Sequence, residues 1–310
     1  MIVNGLKRYF KRSLPGVKFL GWGHWMIGLS SRLFSQIRMY RCARWCERYH
    51  SAKIVEYLDR HYVHIIDSIS IPLETQSSEV TQKRIWTLWW QGINDAPESV
   101  LRTIGSMRNN AGDFDVIVID KYNYQEYIDF PFYIMEKFSK GIISIQNFSD
   151  ILRLSLIAKY GGIWMDANLL VLRPIKIDWN SDEFITSKKA GEYLWTGFFM
   201  GGRKNNVLAT MASKIFFAYW KDNDALIDYL LIDRIIELCY NKSAIVKRMI
   251  DSVNSPNKDI MWVLQNLNKN FSEAVYKDII ANNVCLKLTH KLPLLDAPDT
   301  YAYRLLTDFS

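Results

Sequence analysis

A single carboxylate, Asp166, stands inside the apolar run KYGGIWMDANLLVLRP at residues 159–174, just after two glycines, Gly161 and Gly162. A charge in such a setting is costly unless it is paired or used. Upstream, Asp150 and Arg153 lie at i, i+3, on one face of a helix. There they suit charge-assisted hydrogen bonds to a polar ligand, or an intrahelical ion pair that serves only the fold. Two more polar groups close β-type runs: Gln91 at the end of RIWTLWWQ (84–91) and Asp120 at the end of DVIVID (115–120).

The elements that must position these residues can be read from periodicity and punctuation. Pro97 sits at a helix N1 before ESVLRTIGSMRNN. Ser149 caps a helix over 149–160 whose apolar side is Ile151, Leu152, Leu154, Leu156, Ile157 and Ala158. Gly161–Gly162 stops that helix, and IWMDANLLVL returns as strand. Residues 84–172 thus alternate β-α-β-α-β, which predicts an α/β fold with a parallel sheet covered by helices. Ligands of open α/β sheets sit beyond the C-terminal strand ends, where Gln91, Asp120 and Asp166 all fall. Residues 122–141 read as two helical pieces around Pro131. Strands are expected at 184–188 and 193–200, helices over 205–280 and a late strand at 283–290.

Composition bounds the alternatives. With 310 residues, 49% hydrophobic and 23% charged, the chain can bury a core of one large domain, alone or with an appendage. Residues 1–50 hold ten Lys or Arg against Glu47 alone, a net +9 that leaves −2 for the rest. Positive charge confined to one end, with no basic-aromatic interleaving in the predicted sheet, argues against a nucleic-acid binder. VKFLGWGHWMIGL (17–29) is too short to span a bilayer. Its tryptophans and basic flanks suit the surface of an anionic membrane, or else a helical layer packed on the main domain. It lacks the small-residue cleavage site of a signal peptide. Four cysteines with no CxxC pair agree with a cytoplasmic protein. His61, His64 and Asp67 are expected on the exposed side of a helix over 51–66, not as metal ligands. The domains expected are 1–82, basic and mainly helical, and 83–310.

The ordered set WWQG (89–92), AP (96–97), SDILR (149–153), KYGGIWMDA (159–167) and KLT (287–289) resembles the bacterial capsular polysaccharide synthesis glycosyltransferases. These are relatives of the DXD-bearing sugar transferases and of the large clostridial glucosylating toxins. The resemblance covers roughly residues 83–291. It implies a GT-A, Rossmann-like fold, a nucleotide-sugar donor (UDP-linked first), a divalent Mn²⁺ or Mg²⁺ and retention of anomeric configuration. Asp166 would anchor the metal that neutralises the leaving diphosphate. Asn168 replaces the second Asp of the motif; its amide oxygen can coordinate a hard cation but brings no charge, and His290 is a candidate further ligand. Asp150 and Arg153 would lie against the donor sugar, Arg153 reaching the sugar or a phosphate. Trp89 or Trp90 would stack on the base beside Gln91, the other ring being core, while Asp120 would hold the nucleoside or start a turn. Gly161 and Gly162 would let backbone approach the ligand or simply stop the helix, and Trp195 and Thr196 would line the sugar or acceptor side. Asp228, in an I-D-Y pattern, is the candidate acceptor-side or catalytic carboxylate. The reaction implied is hexosyl transfer to a polyprenyl-diphosphate-linked oligosaccharide at the inner membrane face. The alternative, prompted by Asn168, is a catalytically inert subunit that only binds a nucleotide sugar.

Overall fold

The structure, a computed structural model, describes residues 13–69, 82–177, 183–187, 194–289 and 299–309. The chain divides into two compact units, each assembled from three stretches. The first comprises Met1–Leu73, Phe130–Ile151 and Thr210–Lys247, and the second comprises Glu74–Asp129, Leu152–Ala209 and Arg248–Ser310. The N-terminal region, expected to form a domain by itself, is therefore grouped with two later segments. Its helices explain why.

Helix α1 (Val17–Gln36) is broken at Gly21, whose φ of 78° and ψ of 171° lie outside helical space. Helix α2 (Tyr40–Ser68) turns Ala43, Cys46, Ser51, Ile54, Leu58, Tyr62 and Ile66 inward at helical spacing. Tyr62 accepts a hydrogen bond from Asn223 Nδ2 at 2.9 Å, and its ring meets Tyr219 edge-on. His61, His64 and Asp67 face solvent, as their spacing suggested. The buried Arg234 side chain donates to Ser51 Oγ at 2.6 Å and to Glu47 at 3.1 Å. An N-terminal layer carrying the partners of a buried guanidinium is part of this unit's core, not an appendage.

The second unit is built on a five-stranded sheet. Its strands are β1 (Arg84–Leu88), β2 (Asp115–Ile119), β3 (Gly162–Met165), β5 (Phe184–Thr186) and β6 (Phe199–Gly202), in the order β2-β1-β3-β6-β5. β1 pairs in parallel with β2 and β3, as the β-α-β-α-β reading requires. β6 then runs antiparallel to both β3 and β5, so the sheet is mixed. Gly201 lies in β6 beside β3, where an added Cβ would come within 2.6 Å of the Gly162 carbonyl oxygen.

The expected single strand after Gly162 is two. β3 ends at Met165, the chain turns over 166–168 with the Leu169 N–H bonded to the Asp166 carbonyl at 2.9 Å, and β4 (Leu169–Val171) leaves to pair with β7 (Cys285–Lys287). Leu169 is opposite Lys287 in that antiparallel register. This corner brings the two sequence-distant halves of the candidate site together.

Candidate active site

Asp166 sits at the corner after β3, its backbone N–H donated to the Phe198 carbonyl at 2.9 Å. Its side chain is partly exposed, and both oxygens are engaged. Oδ1 accepts from the Trp164 indole at 2.9 Å, and Arg153 approaches it at 3.5 Å. Oδ2 accepts from Lys287 Nζ at 2.7 Å. Burial works against ionisation of this carboxyl. The Lys287 ammonium and Arg153 guanidinium outweigh it, holding Asp166 below its usual range. Burial likewise pulls Lys287 down, partly offset by Asp166.

The cations are themselves fixed. Arg153, on the helix α5 (Ile145–Tyr160), lies over the Trp164 ring at 5.1 Å and donates to the Gly197 carbonyl. Lys287 is only 13% exposed and lies over the Phe198 ring, 4.4 Å from its centroid. Stacked on rings and held by one carboxylate, the two cations form a preorganised site for further negative charge. Sequence reasoning found Asp166 and Arg153 but gave Lys287 no role. The signals were a lysine within the otherwise apolar run VCLKL and its place at the head of the KLT match (287–289).

Other expected residues have local duties. The Asp120 carboxylate accepts from the N–H groups of Tyr122 and Asn123 at 2.8 and 3.1 Å, the turn-starting role foreseen as its alternative. Gly161 (φ +72°) ends the helix and accepts from the Trp86 indole at 2.9 Å. At Gly162 (φ +95°) a Cβ would meet the Arg84 carbonyl at 2.5 Å. The close approach within the protein at this glycine is to β1. Trp89, Trp90 and Gln91 lie just past β1. Trp89 packs beside Val100, Ile104 and Ala167, and Trp90 lies 5.5 Å from Tyr124. Thr196 is buried, its N–H on Thr186 Oγ1 and its hydroxyl on the Phe199 carbonyl, and Trp195 is buried beside it in sequence. These contacts place Thr196 in the framework that holds β6.

Asp150 is buried on α5 within the first unit. Asp228 also belongs to the first unit. Its Oδ2 accepts from Arg234 Nε at 2.7 Å and its Oδ1 from the Leu230 N–H at 3.2 Å. It lines a cavity of about 370 Å³ with His24, Trp25, Glu47, His50 and Tyr229. The candidate acceptor-side carboxylate is therefore committed to a buried guanidinium.

A family described as capsular polysaccharide synthesis protein matches residues 36–305. The chain belongs to this family. That span includes every residue of the Asp166 cluster and most of both units. Among curated proteins, the O-glycosyltransferase braB of Annulohypoxylon truncatum is 26% identical over 174 residues. The O-glycosyltransferase PaGT of Phomopsis amygdali is 27% identical over 180 residues. These alignments cover 50% and 52% of the chain but only 41% and 44% of the relatives, so the chain spans less than half of their length. The solved PaToxG glycosyltransferase covers 65% of this chain and 83% of its own, at 15% identity and a TM-score of 0.39. That likeness is too weak to carry the fold assignment.

The divalent cation implied by the resemblance can be tested against these family residues. The Asn168 side chain donates its Nδ2 to the Leu288 carbonyl at 3.0 Å, which fixes the amide's orientation. Its Oδ1 is buried without a hydrogen-bond partner among the described residues, but it is uncharged. Both Asp166 oxygens are occupied, one by an ammonium. A divalent cation about 4 Å from that ammonium would be repelled by roughly 8 kcal/mol at an effective dielectric near 20. No cluster of three His, Cys, Asp or Glu suited to a metal occurs among the described residues, and His290 lies outside them. As arranged, the described residues do not fit a divalent metal.

Proposed function

We propose that this chain is a glycosyltransferase of GT-A type. It moves a hexosyl group from a nucleotide-sugar donor, UDP-linked in the first instance, to a lipid-linked oligosaccharide in surface-polysaccharide assembly, with retention of configuration. The observation that carries the reading is the Asp166–Arg153–Lys287 cluster at the end of β3 within a chain of the capsular polysaccharide synthesis family. The names of the two curated relatives support sugar transfer as the reaction.

Each part has a chemical task. Departure of a nucleoside diphosphate leaves a dianionic group that needs fixed positive charge, because preorganised charge stabilises the transition state without reorganisation. Arg153 is placed to hold a phosphate or sugar oxygen while Trp164 and Gly197 keep its plane fixed. Retention needs no protein nucleophile if the leaving phosphate takes the acceptor hydroxyl proton on the same face. A peripheral position on the inner membrane face would bring a polyprenyl-diphosphate acceptor within reach. No helix among the described residues is long and apolar enough to cross a membrane.

The test is nucleotide release from a panel of UDP- and GDP-sugars, with Mn²⁺ or Mg²⁺ and with chelator, and with or without a membrane lipid extract. Wild type is expected to release nucleotide from one donor. Asp166→Ala, which leaves two cations facing each other, is expected to lose about 100-fold or more in rate. Silence across the panel with lipid present, while nucleotide still binds, would replace this reading with that of an inert nucleotide-sugar binder, the option Asn168 raises.

A further inference from the structure

We propose that Lys287 is the cation that receives the leaving diphosphate, in the position where the resemblance expects a divalent metal. The inference deepens the transferase reading and rests on it. Two independent geometric facts lead to it. First, the Lys287 ammonium already stands on Asp166 Oδ2 at 2.7 Å, where a metal would have to bind. Second, the neighbouring Asn168 could offer a metal only its uncharged Oδ1, which has no hydrogen-bond partner among the described residues. Asn168 Nδ2 is given to the Leu288 carbonyl, and the Asn168 carbonyl accepts the Leu288 N–H at 2.8 Å. Both bonds tie the 166–168 corner to the chain that carries Lys287.

The fold holds this ammonium in place. β7 is locked to β4 by antiparallel pairing, with Leu169 opposite Lys287, and the Lys287 N–H donates to the Ile260 carbonyl at 2.8 Å. The side chain runs over the Phe198 ring to reach Asp166. An ammonium has three N–H donors, so it can hold a carboxylate and a phosphate oxygen together. Its four-carbon stem lets it follow the oxygen as the bond lengthens. Asp166 then acts as a positioning residue that keeps Lys287 protonated and aimed.

The step balances without a metal. The bond between sugar C1 and the β-phosphate oxygen breaks, and its electron pair leaves on that oxygen, which accepts a hydrogen bond from Lys287. The acceptor hydroxyl oxygen forms the new bond to C1, and its proton passes to the departing diphosphate. Lys287 keeps its protons throughout and stabilises charge only.

The experiment compares UDP with uridine, and GDP with guanosine, by calorimetry in chelator on wild type, Lys287→Met and Lys287→Arg, with donor turnover measured in parallel. Wild type is expected to bind one diphosphate at least about tenfold more tightly than its nucleoside without metal. Lys287→Met is expected to lose that preference while nucleoside affinity stays the same, and to lose turnover by about 100-fold or more. Lys287→Arg should recover part of both, and unchanged nucleoside binding reports that each variant is folded. A diphosphate preference that appears only with Mn²⁺ or Mg²⁺, or that survives in Lys287→Met, overturns the inference but leaves the transferase intact. Failure of wild type to bind any of these compounds, with or without metal, overturns the transferase reading and the inference with it.

Discussion

At Gly162 the backbone has φ +95°, and an added Cβ would lie 2.5 Å from the Arg84 carbonyl oxygen and 2.9 Å from the Trp86 indole nitrogen. Neither neighbour can yield, since one is the backbone of β1 and the other is hydrogen-bonded to Gly161. Gly162→Ala should therefore cost about 3 kcal/mol through overpacking and the left-handed backbone together. Urea unfolding of wild type and variant measures this, and an unchanged midpoint would refute it. The sequence left open whether these glycines admit a ligand or only stop the helix, and gave no sign of the close contact with β1. The same limit explains Lys287. Asp166 was legible because a charge in an apolar run is anomalous by itself. Its partner is 121 residues away, and only the β4–β7 pairing brings them together. Asp120 was legible in both directions, and its Oδ1 makes the two turn contacts that one of them expected.

Among the elements, the helix before β3 begins at Ile145, four residues earlier than expected, so Ser149 lies inside it and does not cap it. Strands β1, β2 and β3 follow the periodicity of the sequence, because buried parallel strands leave clear patterns. The break between β3 and β4 left no such mark: Met165 to Val171 reads as continuous strand because both halves are buried. The antiparallel insertion of β6 was equally silent: the strand expected at 193–200 carried no sign of its direction, and the strand formed is Phe199–Gly202. In the first unit, α1 and α2 bring His24 and His50 face to face, ring centroids 4.4 Å apart. Burial first, then the neighbouring His50, pushes His24 down from 6.5 to about 4. Burial also lowers His50, against the pull of Asp228 and Glu47. A folded pKa below the unfolded one means the unfolded chain takes up the proton first. Stability carried by neutral His24 is thus complete above pH 6.5 and is lost as pH falls towards 4. The His24 ring resonance should titrate near 4 by NMR, and His24→Gln should flatten the fall in stability between pH 6.5 and 4. A midpoint near 6.5 would show that the stack does not desolvate the ring.

For the molecule as a whole, charge is the property most unevenly distributed, and it coincides with exposed aromatic surface. Trp22, Ile37, Tyr40 and Trp45 on the α1–α2 hairpin are each more than half exposed. Arg32, Arg38, Arg41, Arg44 and Arg48 are exposed alongside them. The one acidic residue of the first fifty, Glu47, is paired with buried Arg234 and does not offset that charge. The hairpin thus has one face in the core of its unit and another that combines rings and guanidinium groups, the composition of an interfacial membrane contact. We expect the chain to co-sediment with vesicles containing phosphatidylglycerol and not with neutral phosphatidylcholine vesicles. Basic residues near an anionic surface contribute roughly 1 kcal/mol each. Arg41→Glu/Arg44→Glu/Arg48→Glu should therefore abolish binding at low salt. Trp22→Ala/Trp45→Ala should leave a weaker attachment that about 1 M NaCl releases, because the Debye length there is only ~3 Å. Wild type, held by rings as well as charge, should need a higher salt concentration for release than this double variant. Equal binding to neutral and anionic vesicles, or none to either, would remove the membrane from the proposed function and leave the exposed rings to a protein partner.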